Sequence, residues 1–285
     1  MAIDLNFLHQ LDRMSLIINK RLTSNYVGER ASIATGRGLI FKDHAIYSPG
    51  DDFRAIDWRV FARLDKLFVK RFEEERNLTV HVVIDYSGSM GFGTKIKKYE
   101  YAGMLGLGFC YMAMKHNERF VVSTFADQLE VFKPKRGRTN LMRVLDYLNT
   151  RKPKGMSKFE SALSAYKKRV NSRSFVVILS DFLYSPEEIK LAVQRYRDHH
   201  VVLIQVLDKV ETDMNLEGDF KLVDVESEDT LRTFLSPYAR KQYLQQMGDH
   251  QAKIKRVCDE LGAEFFVVNT EYPIFDAFYT VLNAY

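Results

Sequence analysis

From Leu78 onward, short apolar runs alternate with longer amphipathic stretches. LTVHVVI (78–84), SFVVILS (174–180), HVVLIQVL (200–207) and EFFVVN (264–269) are dense in β-branched and aromatic residues, as is RFVVSTF (119–125). A strand with one wet face alternates polar and apolar positions, so the continuous runs at 78–84 and 174–180 predict strands covered on both sides. LEVFKP (129–134) is expected to pair back onto 119–125 after a turn at 126–128, and DFKLVDVE (219–226) reads as an edge strand. Helices are predicted over 99–115, 139–149, about 157–170, from Ser185, from Ser236 to Gly262, and over 273–284. Ser185-Pro186-Glu187-Glu188 supplies a hydroxyl cap, a proline in the first turn and acids at the positive end of the dipole. This alternation implies right-handed crossovers and an α/β fold, an open, mostly parallel, doubly wound sheet with helices on both faces.

Before Leu78 the pattern differs. Leu5, Leu8, Leu11 and Leu16 space an amphipathic helix over 3–22. Residues 24–66 are punctuated by Gly28, Gly36, Gly38, Pro49 and Gly50 between apolar pieces such as LIF (39–41) and AIY (45–47), the mark of short strands and turns. KLFVKRFEEER (66–76) alternates as a strand does. The expected division is therefore 1–76, a helix with a small β-containing region, and 77–285, the α/β domain.

With 46% apolar and 28% charged residues, the composition is that of a folded globular chain. Formal charge is +5 and pI about 9.0, which favours acidic partners without selecting nucleic acid. Cys110 and Cys258 lie far apart in apolar surroundings, outside any metal or redox spacing, and are expected as buried thiols. No apolar run reaches the roughly 18 residues that span a bilayer, and the acidic start MAIDLNFLHQLDRM is unlike a secretory signal, so the cytoplasm is the expected location.

The candidate chemistry sits where the 78–84 strand ends. Asp85, Ser87 and Ser89 place three short oxygen donors at alternate positions, and Gly88, Gly91 and Gly93 ease a tight path. In open α/β sheets the ligand lies beyond the carboxyl ends of the strands. If the loop curls, the three oxygens converge and offer half of the roughly six-oxygen shell that Mg²⁺ prefers. The 174–180 strand also ends in an acid, Asp181, and parallel neighbours bring such ends together. The alternative is that both aspartates merely cap helices.

Asp85-Tyr86-Ser87-Gly88-Ser89 resembles the metal-ion-dependent adhesion site of von Willebrand factor A domains, whose first motif is Asp-x-Ser-x-Ser. That resemblance implies a hydroxyl from a second loop and an aspartate from a third. Asp181 in ILSDF matches the latter. For the former, Ser157 in KGMSKFESAL fits the family's order, and Thr139 in GRTNL is the other candidate, one helix earlier. Ser157 departs from the family's threonine. The implied ligand set is Asp85, Ser87, Ser89, Ser157 and Asp181 around one ion, Mg²⁺ or alternatively Mn²⁺ or Ca²⁺. GERASIATGRGLIF (28–41) and YSPGDDFRAIDWRVFARLDKLFVKRFEEERN (47–77) are similar to the domain of unknown function 58 family. That likeness implies a protein-interaction role, as adaptor or partner of a MoxR-type AAA+ ATPase or another von Willebrand A protein, in protein assembly or maturation.

Two other function classes stand beside this one. A Mg²⁺-dependent phosphohydrolase would use the two strand-end carboxylates, but Ser87 stands where haloacid-dehalogenase chemistry needs a second aspartate. No Gly-x-Ser-x-Gly elbow or P-loop is present either. A nucleic-acid binder has only the basic pI in its favour, and none is expected. Trp58, the single tryptophan, reads either as a packed wedge, with Arg54 and Arg59 paired to nearby acids, or as a recognition surface. The run Lys95-Ile96-Lys97-Lys98 reads either as a solvated face or as positive charge beside the site.

Overall fold

The structure, a computed structural model, describes residues 7, 10–12, 40–73, 78–133, 135–215, 218–223 and 230–282. The chain divides into two compact units, residues 19–77 and residues 1–18 together with 78–285. In the smaller unit β1 (Ile40–Ile46) and β2 (Phe68–Glu73) run antiparallel, with an irregularity between Phe41 and Asp43. Between them lies a helix, α1 (Trp58–Leu64), where the sequence predicts only short strands and turns. Seven residues are too few for a helical period to register. What starts α1 is Asp57, whose Oδ1 accepts the N–H groups of Arg59 (3.0 Å) and Val60 (3.4 Å). Its Oδ2 meets His44 Nε2 at 3.0 Å and Lys70 Nζ at 3.3 Å. The His44 contact, ahead of the opposing effect of burial, holds the Asp57 carboxyl down at about 2. Trp58 is 61% exposed, and within the smaller unit its ring lies edge-on to Phe61. Asp51 and Asp52 accept the N–H groups of Ser48 and Arg54.

The larger unit contains β3 (Thr79–Asp85), α2 (Lys98–Lys115), β4 (Arg119–Phe125), β5 (Leu129–Val131), α3 (Arg138–Thr150), α4 (Phe159–Lys167) and β6 (Phe175–Ser180). It continues with α5 (Pro186–Gln194), β7 (His200–Leu207), α6 (Lys209–Asp213), β8 (Gly218–Val223), β9 (Thr230–Leu235), α7 (Pro237–Leu261), β10 (Glu264–Asn269) and α8 (Ile274–Leu282). The main sheet has the order β10-β7-β6-β3-β4-β5, parallel throughout except for β5 at one edge. Every residue of β3 and β6 is buried, as their unbroken apolar runs require. Each fully buried Val, Ile or Leu here contributes about 1.5–3 kcal/mol.

Alternate residues face opposite layers. Val83, Val176, Ile178 and Leu203 pack with α4, α5 and α7 in one core. Val82 and Ile84 meet α2 on the other side, where a Cβ on Gly106 would lie 2.8 Å from Val82 Cγ1; only glycine lets the helix approach so closely. α7 stops where expected, at Gly262 in the left-handed region.

Two expectations are corrected. Of the 219–226 stretch, the described residues 219–223 do not edge the main sheet: β8 pairs antiparallel with β9 in a separate two-stranded sheet, and 224–226 lie outside the described residues. TLRTFL, passed over in the sequence, provides its partner strand. Of the helix predicted over 3–22, the described residues Phe7 and Gln10–Asp12 are helical and the rest lies outside the described residues. They belong to the larger unit rather than to a 1–76 region: Phe7 stacks on Phe275 at 5.5 Å, and Asp12 pairs with Lys115 at 2.5 Å. Cys110 and Cys258 are both buried and free, and burial pushes the Cys258 thiol up to about 12. Among the described residues no helix is long and apolar enough to cross a membrane.

Candidate functional site

β3 lies between β4, its successor, and β6, reached by a crossover to the opposite side. The chain therefore leaves the ends of β3 and β6 in opposite directions, which opens a crevice at their carboxyl ends. Asp85 and Asp181 emerge into it, both buried.

The first loop curls as its composition requires. Asp85 Oδ1 accepts Ser87 N at 2.8 Å, and a single 3₁₀ turn follows over Gly88–Gly91. Ser87 Oγ and Ser89 Oγ lie 3.2 Å apart. The second loop is sewn to the first by Lys154 N donating to Tyr86 O and Gly88 N to Gly155 O, each at 2.9 Å. Gly155 has φ +84°, and a Cβ there would come within 2.0 Å of Asp127 Oδ2, so glycine is required on both counts. Ser157 then turns its hydroxyl inward, 3.4 Å from Asp85 Oδ2, and does not cap α4. Thr139 is exposed in the first turn of α3, with no hydrogen bond to any of these residues.

In the third loop Asp181 Oδ2 accepts Lys98 Nζ at 3.0 Å, and the same ammonium reaches Glu211 Oε1 at 2.8 Å. Gln205 Nε2 donates to the Asp181 carbonyl at 2.7 Å. The next residue, Phe182, has φ +50°, uncommon without glycine, and its carbonyl meets His250 Nε2 at 2.7 Å. Neither aspartate is a helix cap, since Ser185 caps α5 and Asp85 bonds no helix start. Lys98 corrects the reading of residues 95–98 as either a solvated face or open positive charge. Lys95 is exposed and pairs with Glu271, but the Lys98 side chain is wholly buried.

Sequence reasoning missed four participants: Ser180, Tyr184, Lys98 and Glu211. Ser180 Oγ donates to Asp85 Oδ2 at 2.8 Å. The Tyr184 hydroxyl donates to the same oxygen and lies 2.5 Å from Ser157 Oγ, its ring stacked on Phe159 at 4.6 Å. Burial, then the nearby Asp85 charge, pushes the Tyr184 phenol far up. Burial, then the charge of Asp181, pushes the Asp85 carboxyl up to about 6, against the Tyr184 and Ser87 hydrogen bonds. Burial works to lower the Lys98 ammonium, but Asp181 and Glu211 outweigh it and the net direction is upward.

The Lys98 ammonium thus meets two carboxylates, Asp181 and Glu211, while Asp85, close enough to Asp181 to feel its charge, adds a third that no ammonium faces among the described residues. Among the described residues no group of three or more His, Cys, Asp or Glu side chains forms a metal cage, so an ion here must also use hydroxyl and water oxygens. The donors fit one. All are hard oxygens, and the 3.2 Å between Ser87 Oγ and Ser89 Oγ is close to the roughly 3 Å between adjacent ligands of an octahedral Mg²⁺ shell.

The family model described as "Protein of unknown function DUF58" matches residues 43–253. "Uncharacterized protein Mb1516" of Mycobacterium bovis is 25% identical over 267 residues, spanning 92% of this chain and 84% of that protein. "Uncharacterized protein Rv1480" of Mycobacterium tuberculosis matches to the same extent. Among solved structures, an aerotolerance-related membrane protein from Bacteroides fragilis covers 73% of this chain and 100% of its own, at 14% identity and TM-score 0.50. The vWF domain of the type V pili tip protein Mfa5 from Porphyromonas gingivalis covers 73% of this chain and 94% of its own, at 13% identity and TM-score 0.41. The sheet order described above, with its single antiparallel edge strand, is von Willebrand factor A-like.

Proposed function

The chain belongs to the DUF58 family, and from that premise we propose that its larger unit is a protein-interaction module that works through one divalent cation, Mg²⁺ or in its place Mn²⁺ or Ca²⁺. Asp85, Ser87, Ser89 and Ser157 would hold the ion, with Asp181 beside them. The observation that carries this reading is the state of Asp85. Its carboxylate is fully buried, has no cationic partner among the described residues, and is surrounded by hydroxyls that carry lone pairs of their own. An uncompensated buried carboxylate is costly unless a cation meets it. Three loops from one chain fill only part of a six-oxygen shell, and the open positions suit a carboxylate from a partner.

When bound, the ion supplies a point of positive charge to which an anionic partner group can attach. The chain's own residues fix where that point lies. Lys98 holds one side of Asp181, and Gly155 lets the second loop pass close enough for Ser157 to reach Asp85. The resemblance noted in the sequence favours a MoxR-type AAA+ ATPase, or another von Willebrand A protein, as the partner, with the chain as its adaptor in protein assembly or maturation.

The test is capture of a purified MoxR-type ATPase by the immobilised full chain. The expected result is retention in Mg²⁺ that is lost in EDTA and lost with Asp85→Ala. Retention that is equal in Mg²⁺ and EDTA overturns metal dependence; no retention in either, from a chain that still binds Mg²⁺, overturns the choice of partner.

A further inference from the structure

Each of the three loops that carry the site raises one large apolar side chain into solvent within a few residues of its oxygen donor. Phe92, three residues after Ser89, is 40% exposed; Met156, next to Ser157, is 57% exposed; Leu183, two residues after Asp181, is 52% exposed. Single exposed apolar residues are ordinary, but one on every wall of a polar crevice makes a rim. The second loop adds charge: Lys152, Lys154 and Lys158 are all exposed and have no ion-pair partner among the described residues. Three acids near the second loop are already engaged. Glu130 pairs with Arg151, Glu160 with Arg195, and Asp127 is turned in to accept Met156 N. The rim is therefore cationic and apolar together, around a floor that calls for an anionic oxygen.

We infer that the partner enters this crevice as an extended acidic segment of another protein, in which the carboxylate that reaches the site is flanked by apolar side chains. The inference rests on the metal reading above and specifies the partner's chemistry. The lysines draw in a negatively charged segment and set its orientation, an effect that salt screens. The apolar side chains select among acidic segments, because Phe92, Met156 and Leu183 lose water only against apolar neighbours. A nucleic acid would satisfy the lysines, and only its bases could cover Met156 and Leu183, so single-stranded oligothymidine is the competing probe.

The experiment is fluorescence anisotropy on the full chain with three short fluorescein-labelled peptides, of repeated Asp-Leu-Glu-Phe, Asp-Ser-Glu-Ser and Asn-Leu-Gln-Phe, and with labelled single-stranded oligothymidine. In Mg²⁺ the first peptide is expected to bind at least about ten-fold more tightly than the second, for the apolar contacts alone, and the uncharged third not to saturate. Met156→Ser with Leu183→Ser should bring the first peptide to the affinity of the second. Lys152→Glu, Lys154→Glu and Lys158→Glu together should weaken it by about ten-fold or more at low ionic strength and by less at high. Equal binding of the first two peptides, affinity unmoved by either set of variants, or tighter binding of oligothymidine than of any peptide overturns the inference. The Mg²⁺-induced rise in Tm of the chain without peptide reads the metal site separately. A chain that shows the rise and ignores the peptides overturns this inference alone; a chain without the rise overturns both.

Discussion

Three strand ends in the same sheet carry buried aspartates, and the one at β7 is used in the opposite way to those at β3 and β6. At the end of β7, Asp208 accepts Thr94 N, Val210 N and Thr270 Oγ1, each at 3.0 Å, and so ties the 93–97 segment, α6 and the residue after β10 together. Its surroundings include backbone N–H groups, which can only donate, so the carboxylate is satisfied within the chain and serves as a cap. At the ends of β3 and β6, Asp85 receives one backbone N–H, from Ser87; its other oxygen meets only hydroxyls, and a second aspartate lies close by. Hydroxyls can rotate and present lone pairs to a cation. The lesson is that a strand-end aspartate is a cap or a site according to whether its neighbours must donate or can also accept.

The sharpest way to test that contrast is to remove one partner at each end. Lys98→Met leaves buried Asp181 and half-buried Glu211 without their ammonium, and is expected to cost about 3–5 kcal/mol in urea unfolding. Asp208→Asn keeps shape and one acceptor oxygen, and should cost only about 1–3 kcal/mol. Equal losses would erase the distinction.

Next in size is the dependence on pH. The Asp85 carboxyl, raised to about 6 in the folded chain, binds its proton more tightly there than in the unfolded chain, where its ordinary value is about 3.9. Charged Asp85 therefore destabilises the fold above about pH 6, and that penalty disappears as pH falls toward about 4. In EDTA, stability relative to Asp85→Asn should rise by about 3 kcal/mol as pH falls over that window, since each ten-fold difference in proton affinity between the folded and unfolded chain is worth about 1.4 kcal/mol. Asp57 in the smaller unit has the opposite sign. Its carboxyl is held at about 2, so its contribution is present above about pH 4 and lost as pH falls through about 2. A difference between the parent and Asp85→Asn that stays flat from pH 7 to 4 would show that Asp85 carries no such penalty.

The smallest effect concerns the second loop. Ser157→Ala should weaken Mg²⁺ binding, read by calorimetry, by about ten-fold or less, as loss of one neutral oxygen from the shell implies. Ser157→Thr should restore it, and Thr139→Ala should leave it unchanged. An effect of Thr139→Ala equal to that of Ser157→Ala would move the second-loop donor to α3.

Much of the larger unit was legible because its elements are long and locally determined. β3 and β6 declare themselves by unbroken apolar runs, and α5 and α7 by Ser185-Pro186, Ser236-Pro237 and Gly262. β8 pairs with β9 instead of edging the main sheet, and two short strands that mix apolar and polar residues carry no signal about which sheet they join. The oxygen donors of the crevice could be listed from loop motifs, since strand ends fix where such loops lie. Their surroundings could not. Lys98 belongs to a basic run that looks solvated, Ser180 looks like one more core strand position, and Tyr184 acquires its role only because its ring stacks on Phe159 and delivers its hydroxyl to Asp85. These are packing facts between segments far apart in sequence, and periodicity does not encode them.

The central claim, that Asp85 and its hydroxyls make a cation site, is tested most directly by titrating the full chain with Mn²⁺ and reading free ion by electron paramagnetic resonance. The expected result is one Mn²⁺ retained per chain, displaced by Mg²⁺, and absent from Asp85→Ala while that variant keeps its fold by circular dichroism. Retention of Mn²⁺ that is unchanged in Asp85→Ala, or no retention by the unmutated chain, would contradict it.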